Sequence, residues 1–345
     1  MALRTGFLAF VEHTGVDAHT ARSAGLTDGF RLFAAAEELG YDTGWVRVRH
    51  LEPYLSAPLP FLAAVGQRTE RLLLGTGVVP IRYENPARLA EEAATTDLLT
   101  GGRLQLGLSA GYSFAEGLFG PVFGRTELPF DEEVEQRLRR FLDAVRGTPL
   151  GVADARHPHA AEGTPLTAQP LSPTLPDRIS YGAGRLATAA RTGSLGIGLQ
   201  LSTLNSEITE LSFEDYQARQ IAAYREARRA VDGVDGSVTV GRMILPILRP
   251  SDREDYAFLL DRDAQRQRDN GAPGAPPLHF GRVHAGDPDE IVAALTADAA
   301  LQAAEELVVV LPFDHRPEVA QRIVETVART VLPGLHEALR AAPAA

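Results

Sequence analysis

The sequence predicts a closed (β/α)8 barrel, and three observations lead there. Apolar runs of strand length alternate with helical patterns from one end of the chain to the other, which implies parallel β-α-β units. Eight such runs stand at 3–10, 43–48, 72–79, 104–108, 178–181, 196–201, 238–245 and 307–311, and eight units in one chain favour closure over an open sheet. The chain has 345 residues, more than the roughly 250 a barrel requires, so the surplus sits in insertions. The whole of 1–345 reads as one domain.

Taken in order, the first strand ends near Phe10 and His13, and the second runs into RVRHLE at 47–52. The third ends in GTGVVP at 75–80. A helix follows, with Asn85 as N-cap, Pro86 at its first position, Leu89, Ala90, Ala93 and Ala94 on one face, and a stop at Gly101 and Gly102. The fourth strand ends in SAGY at 109–112. The segment 112–178 is rich in Phe and Pro, including Phe114, Phe119, Phe123 and Phe130, and reads as an insertion that covers a site.

The fifth strand leads into GAGR at 182–185, and the sixth is followed by Ser202. After the seventh, 250–286 reads as a second insertion and cover, with GAPGAPP at 271–277. Asp287, Pro288, Asp289 and Glu290 form an acidic helix start. The last helix opens at Pro317 and turns Val319, Ile323, Val324 and Val327 to one side.

Composition narrows the chemistry. With 44% hydrophobic residues there is apolar material for a large core. A net charge of -11 and no basic run argue against a nucleic-acid or anionic-membrane partner. No apolar stretch approaches the roughly 20 residues of a membrane span, and MALRTGFLAF has no cleavage pattern, so the cytoplasm is expected. The absence of Cys excludes thiolate nucleophiles, disulfides and cysteine-ligated metals. All 34 basic residues are Arg, which removes Schiff-base lysines and P-loop kinase mechanisms. Hard chemistry here is therefore expected to come from a cofactor.

YGAGRLATAA, 181–190, is the informative corner. A strand end turns into a helix whose first N–H groups lack intrahelical partners and so attract an anion. Gly182 and Gly184 let backbone approach a ligand, and Arg185 adds a fork of donors suited to phosphate. The same residues match the dinucleotide pattern G-x-G-x-x-A, with Glu207 about 20 residues on as the acidic partner, but a fingerprint after the fifth strand is out of place for that fold. HPH at 157–159 lacks a third ligand pattern, and no metal is expected.

Five stretches taken together resemble the bacterial luciferase-like family of flavin-dependent monooxygenases and deazaflavin-dependent oxidoreductases: FAAAEELGYDTGWV (33–46), RTERLLLGTGVVPIRYENPARLAEEAATTDLLTGGRLQLGLSAGY (68–112), DRISYGAGRLATAARTG (177–193), AGDPDEIVAAL (285–295) and VARTVLPGL (327–335). The resemblance implies a (β/α)8 barrel with insertions and a monooxygenase acting on a small organic substrate with reduced FMN and O2, the flavin coming from a separate reductase. It implies cofactor contacts from Thr76, Gly77, Ala110, Gly111, Tyr112, Gly182, Ala183, Gly184 and Arg185, with a cis peptide at the GTG turn beneath the ring.

Catalytic roles are expected for His50 and Arg49, and substrate contacts for His13, Phe10, Phe114 and Ser202. Where relatives often carry Glu-His-His, this chain has Val48, Arg49 and His50, and where they place an Arg on the fourth strand it has Ala110, which leaves Arg185 to supply charge. The resemblance also implies a homodimer pairing through helices near 60–67 and 86–99. Alternatives are hydride transfer with 8-hydroxy-5-deazaflavin, a barrel that holds flavin without turnover, and a phosphate-sugar isomerase.

Overall fold

The computed structural model describes residues 3–111, 113–270, 272, 277–313 and 316–341, and of Phe114 only the backbone. Eight parallel strands form the ring: β1 Arg4–Ala9, β2 Thr43–Val46, β3 Leu73–Thr76, β4 Leu104–Ser109, β5 Ile179–Gly182, β6 Gly198–Leu201, β7 Val238–Arg242 and β8 Glu306–Val310. Each pairs with the next, and β8 returns to β1 with Val308 opposite Gly6. The expected barrel is the one observed.

Helices lie between the strands: α1 Ala24–Glu38, α2 Pro58–Gly66, α3 Pro86–Leu99, α4 Phe130–Val145, α5 Leu186–Ser194, α6 Phe213–Asp232, α7 Pro288–Thr296 and α8 Pro317–Thr330. Their starts follow local chemistry. Asn85 accepts from the N–H groups of Ala87 and Arg88, Ser212 from Asp215, and Asp287 from Asp289. Helix α8 buries Val319, Ile323, Val324 and Val327 against the barrel, the face its sequence spacing predicts. Among the described residues no helix is long and apolar enough to cross a membrane.

Four expectations change in detail. β3 stops at Thr76 instead of running to 79, at the GTG turn where the expected cis bond stands between Gly77 and Val78, and Val79–Pro80 pairs separately with β4. The expected strand 238–245 breaks at Met243, and Ile244–Pro246 leaves the ring to pair with His284–Gly286. The segment 112–178 is no loose cover, since it contains the barrel's own helix α4. Its excess over a plain barrel unit is the short helix Glu116–Phe123 and the hairpin Gly151–Val152 with Pro165–Leu166. The first half of 250–286 is the 20-residue helix Pro250–Asp269, begun where the Asp252 carboxylate accepts from the N–H groups of Leu248 and Arg249, both at 3.0 Å. In the GAPGAPP stretch, Gly271 and 273–276 lie outside the described residues.

Inside the ring the Trp45 indole N–H donates to Glu306 at 3.0 Å, Thr239 donates to the other carboxylate oxygen, and Arg4 stands 3.7 Å away. Burial pushes the Glu306 carboxyl up. A Cβ on Gly75 would meet the Trp45 ring at 2.1 Å, so the indole can cross β3 only over a glycine.

The seam between β4 and β5 spans the long insertion, and its register is Leu106 opposite Ile179. It is clamped from α3. Asp97, fully buried, receives both ends of the Arg178 guanidinium at 2.7 and 3.0 Å, and Arg178 also donates to the Leu104 carbonyl. Removing one partner of such a pair leaves an uncompensated charge, so Asp97→Ala is expected to cost about 3–5 kcal/mol. Urea denaturation beside the wild type measures this, and a loss under about 1 kcal/mol would contradict the clamp.

Candidate functional site

The carboxyl ends of the strands surround a cavity of about 330 Å3, at the lower end of the range for small-molecule sites. Its floor is Gly77 and Val78. Arg47 fixes that floor by donating to the Gly77 carbonyl at 3.1 Å, and Gln200 reaches in from β6, donating to Ser180 at 2.8 Å. Opposite stand Phe280, Phe313 and Arg266, the last from the helix Pro250–Asp269 with its guanidinium 4.5 Å above the Phe280 ring. Burial, and then the neighbouring Arg262, push the Arg266 guanidinium down from its usual value. Three guanidinium groups (Arg47, Arg49 and Arg266) line the cavity, and among its described lining residues there is no carboxylate. A chain of net charge -11 has thus built a positive enclave.

The expected residues take different places. Gly77, Gly111, Gly182, Ala183, Gly184, Phe10, Ser202 and Arg49 all line the cavity. Thr76 is close, but its hydroxyl is buried and exchanges hydrogen bonds with Gly107 across to β4, both at 2.9 Å, so it serves the barrel wall. Ala110 packs on the core beside it. His13 stands outside, exposed, with Nε2 donating to the Glu52 carbonyl. Tyr112 and the Phe114 side chain lie outside the described residues.

His50 is not among the lining residues. Its ring packs 4.9 Å from Phe123 and 5.9 Å from Tyr83, and its buried Nε2 has no hydrogen-bond partner. Burial pushes its pKa below the ordinary value, so it is neutral at pH 7. The enclosure belongs to the helix Glu116–Phe123, which is pinned by the buried Arg82 guanidinium donating to Glu116 and to the Gly124 carbonyl.

The corner after β5 has its own order. A Cβ on Gly184 would meet the Ser206 hydroxyl at 2.6 Å, so the loop after β6 sits where a side chain would be. A Cβ on Gly182 would make only ordinary contact. Arg185 is exposed and lines a neighbouring cleft with Glu207, Tyr216 and Arg219. There the Glu207 carboxylate accepts the Leu186 N–H at 2.8 Å and the Tyr216 hydroxyl.

Residues that sequence reasoning missed are Arg47, Gln200 and Arg266. Strand alternation carried a signal for the first, because Arg47 and Arg49 follow Trp45 at a period of two and so face the barrel axis with it.

A second polar cluster lies behind the loop after β6. Glu214, His284 and Asp298 place ligand-type atoms within 4.8 Å of one another. Arg242 already supplies the cation, donating to Asp298 at 2.7 Å, while the other Asp298 oxygen caps the N–H groups of Ala300 and Leu301. Burial, with Arg242 and Arg282 beside it, pushes His284 down to about 4. Below pH 6.5 the unfolded chain binds a proton that the folded chain refuses until about pH 4. Stability should therefore fall as pH drops from about 6.5 towards 4, by on the order of 3 kcal/mol, and His284→Asn should flatten that decline. Urea midpoints across this range test it; an equal slope in the variant would contradict it.

Comparison with known proteins follows this geometry. The family described as luciferase-like monooxygenase matches residues 4–330. A stretch of 152 residues, 42% of the chain, is 36% identical to an F420-dependent glucose-6-phosphate dehydrogenase of Kribbella flavida, covering 41% of that protein. A stretch of 118 residues, 33% of the chain, is 33% identical to the oxygenase component of the flavin-dependent trigonelline monooxygenase of Acinetobacter baylyi, covering 31% of it. The matched stretches thus span about two fifths or less of these curated relatives. Among solved structures, monooxygenase RslO1 from Streptomyces bottropensis superposes with a TM-score of 0.72 over 96% of this chain and 99% of that one at 18% identity, which shows a shared fold.

Proposed function

The chain belongs to the luciferase-like monooxygenase family, and on that footing we propose that this enzyme is a monooxygenase component using reduced FMN and O2 on a small organic substrate, with reduced flavin delivered by a separate reductase. The observation that carries the reading is the cavity over Gly77 and Val78, walled by the rings of Phe10, Phe280 and Phe313 and by the guanidinium groups of Arg47, Arg49 and Arg266. A relative described as an oxygenase component supports the two-part arrangement.

The ring fits this floor: backbone at Gly77 and Gly111 presents no side chain, and Arg47 holds a positive charge beside it. Bound there, the flavin would supply the electrons that activate oxygen. The aromatic wall would keep water out. Arg49, at the cavity edge and 3.6 Å from Glu52, is assigned to an anionic group of the substrate or of the reduced ring. His50, neutral and packed against the Tyr83 and Phe123 rings outside the cavity, is assigned to seating the helix Glu116–Phe123 and not to proton transfer. Gly182, Ala183 and Arg185 are assigned to the phosphate side. The exposed Leu98 and Leu99 on α3 support pairing of two copies through α2 and α3.

A second reading, hydride transfer with 8-hydroxy-5-deazaflavin, is favoured by the longer of the two alignments above, which is to an F420-dependent dehydrogenase. Anaerobic titration of the protein with each reduced cofactor separates the two. Tighter binding of reduced FMN is expected; tighter binding of the deazaflavin would overturn the monooxygenase reading.

A further inference from the structure

The corner after β5, which the flavin reading assigns to a phosphate, already holds an anion of the chain's own. The first N–H of α5, that of Leu186, points at the Glu207 carboxylate at 2.8 Å and at the Tyr216 hydroxyl at 3.0 Å, and Tyr216 in turn donates to Glu207. The Tyr216 hydroxyl, the Leu186 N–H and the charge of Arg185 hold the Glu207 carboxyl below the usual range, so it is ionised at neutral pH. The arrangement is braced. Ser206, next to Glu207, donates its N–H to the Gly184 carbonyl at 2.8 Å, and Asn205 before it is fully buried. Glu207 therefore cannot drift away as a loose surface acid would. Arg185 and Arg219 line the same cleft as Glu207, a pair of cations whose attraction for a phosphate the carboxylate opposes.

We infer that Glu207 competes with the cofactor's phosphate for the Leu186 N–H and the Tyr216 hydroxyl, and so limits how much affinity a terminal phosphomonoester adds. This rests on the flavin reading. A phosphate dianion entering the corner must displace the carboxylate or lie beside it, and either course removes affinity that the helix start would otherwise give. With its ring in the main cavity, as proposed above, a flavin without the phosphate would leave this corner untouched, so riboflavin would report ring binding alone. The acidic residue that the dinucleotide pattern would place on a ribose is thus assigned a different task.

The test is the dissociation constant of FMN and of riboflavin, each by fluorescence quenching, for the wild type and for Glu207→Gln, with thermal melting to confirm folding. Glu207→Ala, which removes the side chain altogether, guards against the amide simply re-forming the cap. The expected result is a small preference for FMN over riboflavin in the wild type, under about tenfold, rising by about tenfold or more in the variants through tighter FMN binding while riboflavin changes less than about twofold. The inference is overturned by a wild-type preference for FMN above about a hundredfold, or by a ratio that does not rise in either variant. Binding of neither flavin to any form would overturn the flavin reading and this inference with it, an outcome distinct from riboflavin binding with an unchanged ratio.

Discussion

Closure of the barrel between β4 and β5 is the constraint from which the site follows. The two strands are separated by the longest connection in the ring, which carries the helix Glu116–Phe123, α4 and a hairpin, and a chain must overcome the entropy of closing so long a loop. The pairing of Leu106 with Ile179 and the fork of Arg178 on Asp97 close it. Once closed, the ring brings Gly111, at the end of β4, and the 182–184 backbone, at the end of β5, to one cavity with Gly77. Gly111 and Gly182 stand at the two ends of that long connection.

The cavity combines features that pull in opposite directions. Aromatic rings at Phe10, Phe280 and Phe313 favour an apolar occupant, while three guanidinium groups favour an anionic one. An occupant with a flat conjugated body and a negative edge reconciles the two, and a reduced flavin has that character. The charge is not spread evenly: Arg47 is tied to the floor at Gly77, Arg49 stands near Glu52, and Arg266 lies against Phe280 on the far wall. The walls thus present their positive charge at three separate places. Glu207 adds the opposite sign outside the cavity, at the one helix start where family likeness predicts a phosphate.

Much of the fold could be read in the sequence because strand and helix periods differ and the barrel repeats one unit eight times. All eight strands were legible, as were the starts of α3, α7 and α8, where Asn85, Asp287 and Pro317 announce themselves. The helix Pro250–Asp269 was not, because it is polar nearly all round, burying only Asp252, Tyr256 and Leu259, and so lacks a strong apolar stripe.

At the site, the glycine corner was legible as a strand-to-helix turn, but not that Ser206 fills the space beside Gly184 or that Glu207 caps Leu186, since both come from a loop after the next strand. His50 was expected at the cavity and is packed behind Phe123, a contact made across more than 70 residues of chain that no local pattern encodes. Thr76 failed for a different reason: a hydroxyl facing a neighbouring strand is satisfied there before any ligand arrives.

A crystal structure of the protein with FMN tests the central claim most directly. The account predicts density for the flavin ring in the barrel mouth, lying against Gly77 and Val78 with the Arg47 side chain beside it. A ring found elsewhere on the protein, or a mouth that stays without flavin at saturating FMN, would contradict it.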